Sequence, residues 1–193
     1  MTHIDISSVL RQTLACDLYS NLVTRPTGAA VRGQIEHLLD DGSSEAERAL
    51  TVIDFSQVSM IDFSCADEVV AKLLLRYAGD SEGPTREVYF LFRGVHEDHW
   101  DAIDAVLERH GLALATERCD GCGIEVVGVL SDEERLTWET VYRLGQPTFD
   151  DLTASVDVGP DSLRAALSGL CCRRLIMSTA GRYTAVGRGN WIE

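Results

Sequence analysis

Few residues in this chain have types and spacings that support chemistry, and the most informative lie between Val52 and Leu75, VIDFSQVSMIDFSCADEVVAKLLL. Ser64 precedes an apolar pattern (Cys65/Ala66, Val69/Val70, Leu73/Leu74, Tyr77) that recurs at helical spacing. With Asp67 three residues on, Ser64 reads as the N-cap of a helix and half of a capping box. A hydroxyl in that position sits at the positive end of the helix dipole, among free backbone N–H groups, where a phosphate can be held. The same residues also fit a plain helix cap.

Two other groupings hold less. Cys119-Asp120-Gly121-Cys122-Gly123 offers two thiolates at zinc-ligand spacing. A structural zinc site needs four ligands, and the remainder could come only from Cys171 and Cys172 or a histidine. Asp-Gly between the cysteines is equally good hairpin-turn chemistry, so Cys119 and Cys122 read as turn residues and a weak metal candidate. His96 and His99, flanking Glu97 and Asp98, have the spacing of a metal pair or of solvated residues opening a helix. No Gly-rich phosphate loop, H-E-x-x-H or G-x-S-x-G is present, so the expectation is a non-enzyme without a cofactor.

The elements that would position these residues alternate strand and helix. Residues 1–24 carry a mixed apolar pattern, Thr24 to Gly28 reads as a turn, and Ala29 to Leu39 as a helix with Val31, Ile35, Leu38 and Leu39 inward. A buried strand (Thr51 to Phe55) leads into the Ser64 helix, whose Asp67 and Glu68 would set negative charge beside the hydroxyl. A second buried strand (Val88 to Phe92), an amphipathic helix (Glu97 to His110) and two strands (Leu112 to Thr116, Ile124 to Val129) come next. Short connections between strands and helices predict α/β layering, a sheet packed with helices.

A boundary is expected near Leu130, giving one unit over 1–130 and a smaller one over 131–193, as the length of 193 residues suggests. In the second unit Ser131 to Glu134 caps a helix to Leu144, Thr148 and Asp151 cap a short helix, and Gly159-Pro160-Asp161 starts a third. A β-hairpin, Leu175 to Val186, closes it around Ser178-Thr179-Ala180-Gly181.

Net charge −14 opposes general nucleic-acid affinity. The balance is uneven: residues 1–130 hold 10 Arg/Lys and 22 Asp/Glu, residues 131–193 hold 7 and 9. Apolar content of 45% with 25% charged residues is ordinary for a soluble globular protein. No apolar run approaches the roughly 20 residues of a membrane span, and no export signal is visible, so the expected location is the cytoplasm, with no membrane partner.

Asp54-Phe55-Ser56 followed by Ile61-Asp62-Phe63-Ser64 and a helix resembles the core of a STAS domain, the fold of anti-sigma-factor antagonists. That family carries a pattern like D-x-S-x-V-x-x-I-D-S-S-G ahead of its second helix. The resemblance spans about the first two-thirds of the chain and is nearest the divergent, STAS-like members. It places Asp62 on the family Asp and Ser64 on the serine phosphorylated by a partner kinase that doubles as an anti-sigma factor. Phe63 stands in place of the first Ser and Cys65 in place of the Gly. The resemblance implies a regulatory interaction protein whose partner binding is switched at Ser64.

The order of three helices and a hairpin in 131–193 is similar to a winged helix-turn-helix. On that resemblance Arg164, Arg173, Arg174, Arg182 and Arg188 are the candidates for DNA contact, and a homodimer would double the footprint. The alternatives left open are a DNA-binding regulator with a sensory or dimerising first unit, and a winged helix used for protein contact.

Overall fold

The computed structural model describes residues 1–14, 21–41, 48–78, 87–118 and 121–188. The chain opens with β1 (Thr2–Asp5), α1 (Ile6–Leu14), the short β2 (Asn21–Leu22) and α2 (Arg25–Asp41). Next come β3 (Arg48–Asp54), β4 (Met60–Ile61) and one helical run in three segments: α3 (Phe63–Ala66), a π-turn (Asp67–Ala71) and α4 (Lys72–Tyr77). After these lie β5 (Glu87–Arg93), α5 (Glu97–His110), β6 (Ala113–Glu117) and β7 (Ile124–Gly128). The rest is α6 (Asp132–Leu144), α7 (Phe149–Ser155), α8 (Pro160–Cys172), β8 (Ile176–Thr179) and β9 (Arg182–Ala185).

The expected α/β layering is present. A mixed sheet runs in the order β1-β3-β5-β6-β7, parallel except for the antiparallel β6–β7 pair. Its central strands are buried on both faces, which is why Ala49 to Ile53 (Thr51 apart) and Val88 to Phe92 read as apolar runs rather than alternating ones. Ile53, Phe90, Phe92 and Leu114 point to one face, where α1 to α5 supply Leu10, Val31, Val69, Leu73, Ile103 and Leu107. Leu50, Val52, Tyr89, Leu91 and Ala115 point to the other. That second face is covered by Trp138 and Val141 of α6, Leu152 of α7, and Leu163, Leu167 and Leu170 of α8.

Residues of 131–188 therefore form a layer on the sheet. Polar contacts fix the layer. Arg173 donates to the Val129 carbonyl at 2.7 Å, and Arg174 donates to Glu87 Oε1 at 3.0 Å while lying over the Tyr89 ring. Arg48, on β3, reaches Thr179 Oγ1 at 2.8 Å.

Two local expectations are corrected. Residues 25–28 belong to α2 rather than to a turn, because Pro26 falls in the first helical turn, where its missing N–H costs nothing. Leu38 is 38% exposed instead of inward. Leu39 takes the place next to Val31 and Ile35, and Leu38 is rotated away by the roughly 100° that separates successive helical residues.

Because the two layers share one sheet, Leu170→Ala, at a fully buried site on the sheet-facing side of α8, should cost about 2–5 kcal/mol. Near-UV and far-UV circular dichroism should still report one coincident unfolding transition, in the variant as in the parent. Separate transitions for the two layers would contradict the shared core.

Candidate functional site

Ser64 lies half-buried in the first turn of α3, directly after the short β4. The N-cap is Asp62, not Ser64. Asp62 is extended (φ −90°, ψ 165°), and its Oδ1 accepts from the Cys65 N–H at 2.8 Å. The helix starts two residues earlier than the capping-box reading placed it, so Ser64 is inside it, and its Oγ donates to the same Asp62 Oδ1 at 2.9 Å. The other carboxylate oxygen accepts the Thr24 N–H at 3.1 Å. Thr24 is a β-branched residue at φ 81°, a backbone conformation costing roughly 1–3 kcal/mol that persists only where its surroundings impose it. One carboxylate thus joins the start of α3, the entry to α2 and the Ser64 hydroxyl. Burial alone would raise the Asp62 carboxyl, but the hydrogen bonds from Cys65, Thr24 and Ser64 outweigh it and hold the group below its usual value.

Cys65 is accommodated by a change on the facing helix. A Cβ on Gly28 of α2 would come within 2.9 Å of Cys65 Cα, so α2 can cross this closely only because position 28 lacks a side chain. The Cys65 thiol is fully buried and donates to the Thr24 carbonyl at 2.9 Å. Burial, followed by the neighbouring Asp62 charge, pushes it up to about 12, which removes its nucleophilic form at neutral pH.

Asp67 and Glu68 do not project beside the hydroxyl as solvent-facing charge. They are 5% and 3% exposed, carried inward by the π-turn against α2 and α5. Arg25 Nη1 donates to Asp67 at 2.8 Å and to Glu68 at 2.7 Å. His110 bonds Asp67 at 2.8 Å, and Arg32 and Lys72 both contact Glu68. Burial disfavours both carboxylates, yet the hydrogen bonds from these partners keep both below their usual range. Arg25 directly follows Thr24, so the charged cluster and the Asp62 node meet at the start of α2. Beside them Phe63 is 37% exposed with Arg109 lying over its ring at 5.6 Å, and Met60 is 53% exposed.

The two histidines separate. His96 is exposed, whereas His99 is fully buried and so is not a solvated opening residue. Position 99 shares the inward face of α5 with Ile103 and Val106. His99 Nδ1 accepts the His96 N–H at 3.1 Å, and Nε2 faces the Val58 carbonyl at 3.1 Å, an arrangement only the neutral ring satisfies. Burial, then His96, lowers its pKa.

Cys119 lies outside the described residues; Cys122 is exposed. Among the described residues no cluster of three His, Cys, Asp or Glu could hold a metal.

The five C-terminal arginines do not converge. Arg164 pairs with Asp161 at 2.8 Å and lies over Phe149, Arg182 donates to the Gln146 carbonyl, and Arg188 lies over Tyr142. Arg173 and Arg174 are turned to the sheet. The residues that sequence reasoning missed at the Ser64 site are Thr24, Arg25, Gly28, Arg32 and His110. Their contacts cross 36 to 43 positions, a separation that leaves no local spacing to read.

Comparison of the chain with protein-family models, curated proteins and solved structures gave no match. No described helix is long and apolar enough to cross a membrane.

The cap assignment makes Asp62→Ala the costly substitution, at about 1–2 kcal/mol in urea titrations, with Ser64→Ala costing less. His99 gives a pH signature. Its folded pKa lies below the ordinary 6.5, so the unfolded chain takes up the proton first. The stability it supports is complete above about pH 6.5 and falls as pH drops below it. Between about pH 5 and pH 7, above the carboxylate range, His99→Gln should flatten the decline in urea midpoint. An unchanged slope would exclude His99 as its source.

Proposed function

We propose that this chain is a regulatory interaction protein of the anti-sigma-factor-antagonist type, with no catalytic activity of its own. On this reading residues 1–130 are a STAS-like unit, and the helices and hairpin of 131–188 are a winged-helix-like arrangement packed on its sheet. The partner is a protein of the kinase or anti-sigma-factor kind, met in the cytoplasm, and Ser64 is the residue that switches its binding.

The observation that carries this reading is the shared carboxylate. Ser64 Oγ bonds to the atom that caps α3, and the same side chain holds the strained Thr24. Phosphorylation of Ser64 would replace that O–H donor with about −1.5 to −2 charge beside an anionic Asp62. The repulsion acts on the Asp62 contacts at the starts of both α2 and α3. Phe63 and Met60 next to it give a partner apolar surface, so charge and backbone position change together where docking occurs.

Duplex binding by 131–193 has less support. Arg173 and Arg174 are committed to the sheet, and the exposed start of α8 carries Asp161 against Arg164.

Affinity capture with the full chain identifies the partner, and titration of that partner reads the switch. Ser64→Glu should weaken binding about tenfold or more, with Ser64→Ala close to the parent. Equal affinity for both variants removes Ser64 as the switch.

A further inference from the structure

The last turn of α5 touches the start of the helical run on both sides of Ser64. Before Ser64, Arg109 places its guanidinium over the Phe63 ring at 5.6 Å; after it, His110 bonds Asp67 at 2.8 Å. Ser64 is the next residue after Phe63, their Cα atoms about 3.8 Å apart, and Asp67 follows about one helical turn on. The two contacts bracket Ser64.

The cations around this bracket differ in what they already hold. Arg25 is bonded to both Asp67 and Glu68, Arg32 and Lys72 to Glu68, and His110 to Asp67. Withdrawing any of them would leave a buried carboxylate short of a partner, which is costly. Arg109 is exposed and, among the described residues, makes no ion pair. It can leave the Phe63 ring for the loss of a single exposed cation–π contact, a weak interaction.

A kinase of the proposed kind moves the γ-phosphoryl group of a nucleoside triphosphate onto Ser64 Oγ, releasing the diphosphate and the hydroxyl proton. The product carries about −1.5 to −2 charge and has lost the O–H that bonded Asp62 Oδ1. Like charges drive it away from that carboxylate, towards the end of α5. A guanidinium suits it there, because its fixed fork gives a phosphate two parallel N–H donors.

We infer that Arg109 is the phosphate-binding residue of the modified chain. On phosphorylation its guanidinium leaves the Phe63 ring for the phosphate oxygens, which ties the end of α5 to the start of α3 and uncovers Phe63 beside Met60. The inference rests on the reading of Ser64 as the phosphorylated residue. It adds a change in the neighbouring apolar surface to the change in charge.

Phosphoserine installed at position 64 of the full chain during translation supplies the modified protein without the kinase. Phosphorus NMR then reads the second ionisation of the phosphate, ordinarily near pH 6. A cation in contact favours the dianion, so this ionisation should fall at least about 0.5 pH unit lower with Arg109 present than in Arg109→Gln. Arg109→Lys, which keeps the charge but not the paired donors, should lie between them. Arg143→Gln removes the same charge from an exposed position on α6, across the sheet, and should leave the titration where it was. No difference on Arg109→Gln, or an equal one on Arg143→Gln, would overturn the assignment. No partner takes part in this titration, so its failure is distinct from failure of the Ser64 switch, which partner affinity reads.

Discussion

A parallel sheet needs cover on both faces, and that need organises this molecule. Its central strands carry no water-facing side, so Leu50, Val52, Tyr89 and Leu91 demand a second layer as firmly as Ile53, Phe90 and Phe92 demand the first. The first layer comes from helices interleaved with the strands. The second is delivered later in the chain by α6, α7 and α8, and is pinned by Arg173 and Arg174 to a backbone carbonyl and to Glu87. Guanidinium groups committed to this seam already have protein acceptors. The acidic balance of the whole chain leaves little positive field elsewhere.

On the first face, the helical run after β4 is held by charge as much as by apolar contact. Asp62 and the Asp67/Glu68 pair are anions kept ionised against burial, each by donors from a different segment. Such groups stabilise little in net terms, because desolvation offsets most of the attraction, but they penalise any arrangement that leaves one unpaired. The starts of α2 and α3 are therefore tied together with definite geometry. On the proposed reading, a phosphate at Ser64 would act on this junction rather than on a freely solvated loop end.

Elements governed by local rules were readable in the sequence. The Ser131/Glu134 and Thr148/Asp151 capping boxes, the Pro160 helix start and the hairpin around Ala180-Gly181 all arise from neighbours within four residues, and all are present. The site was legible only in part. Ser64 and Asp62 stood out, but the cap is Asp62 rather than Ser64: a serine and an aspartate two residues apart both satisfy capping statistics, and Asp62 also accepts from Thr24, distant in sequence. The burial of Asp67, Glu68 and His99 ran against their polarity. It depends on Arg25, His110 and the Val58 carbonyl, all distant in sequence. The small residue that the resemblance led one to seek at position 65 is found instead at position 28, on another helix.

The π-turn is geometrically equivalent to one residue inserted into an α-helix without disturbing the helical turns on either side. It takes up the extra residue between Asp67 and Ala71 and returns α4 with Leu73 and Tyr77 on the sheet, Tyr77 meeting Phe90 edge-on at 5.4 Å. Deleting one residue from this turn would restore regular α-helical hydrogen bonding and so improve the helix as a helix. It would also rotate everything after the deletion by about 100° relative to the Ser64 end. The wide turn thus sets the phase between the two ends of the run, letting one end present a hydroxyl while the other stays seated in the core.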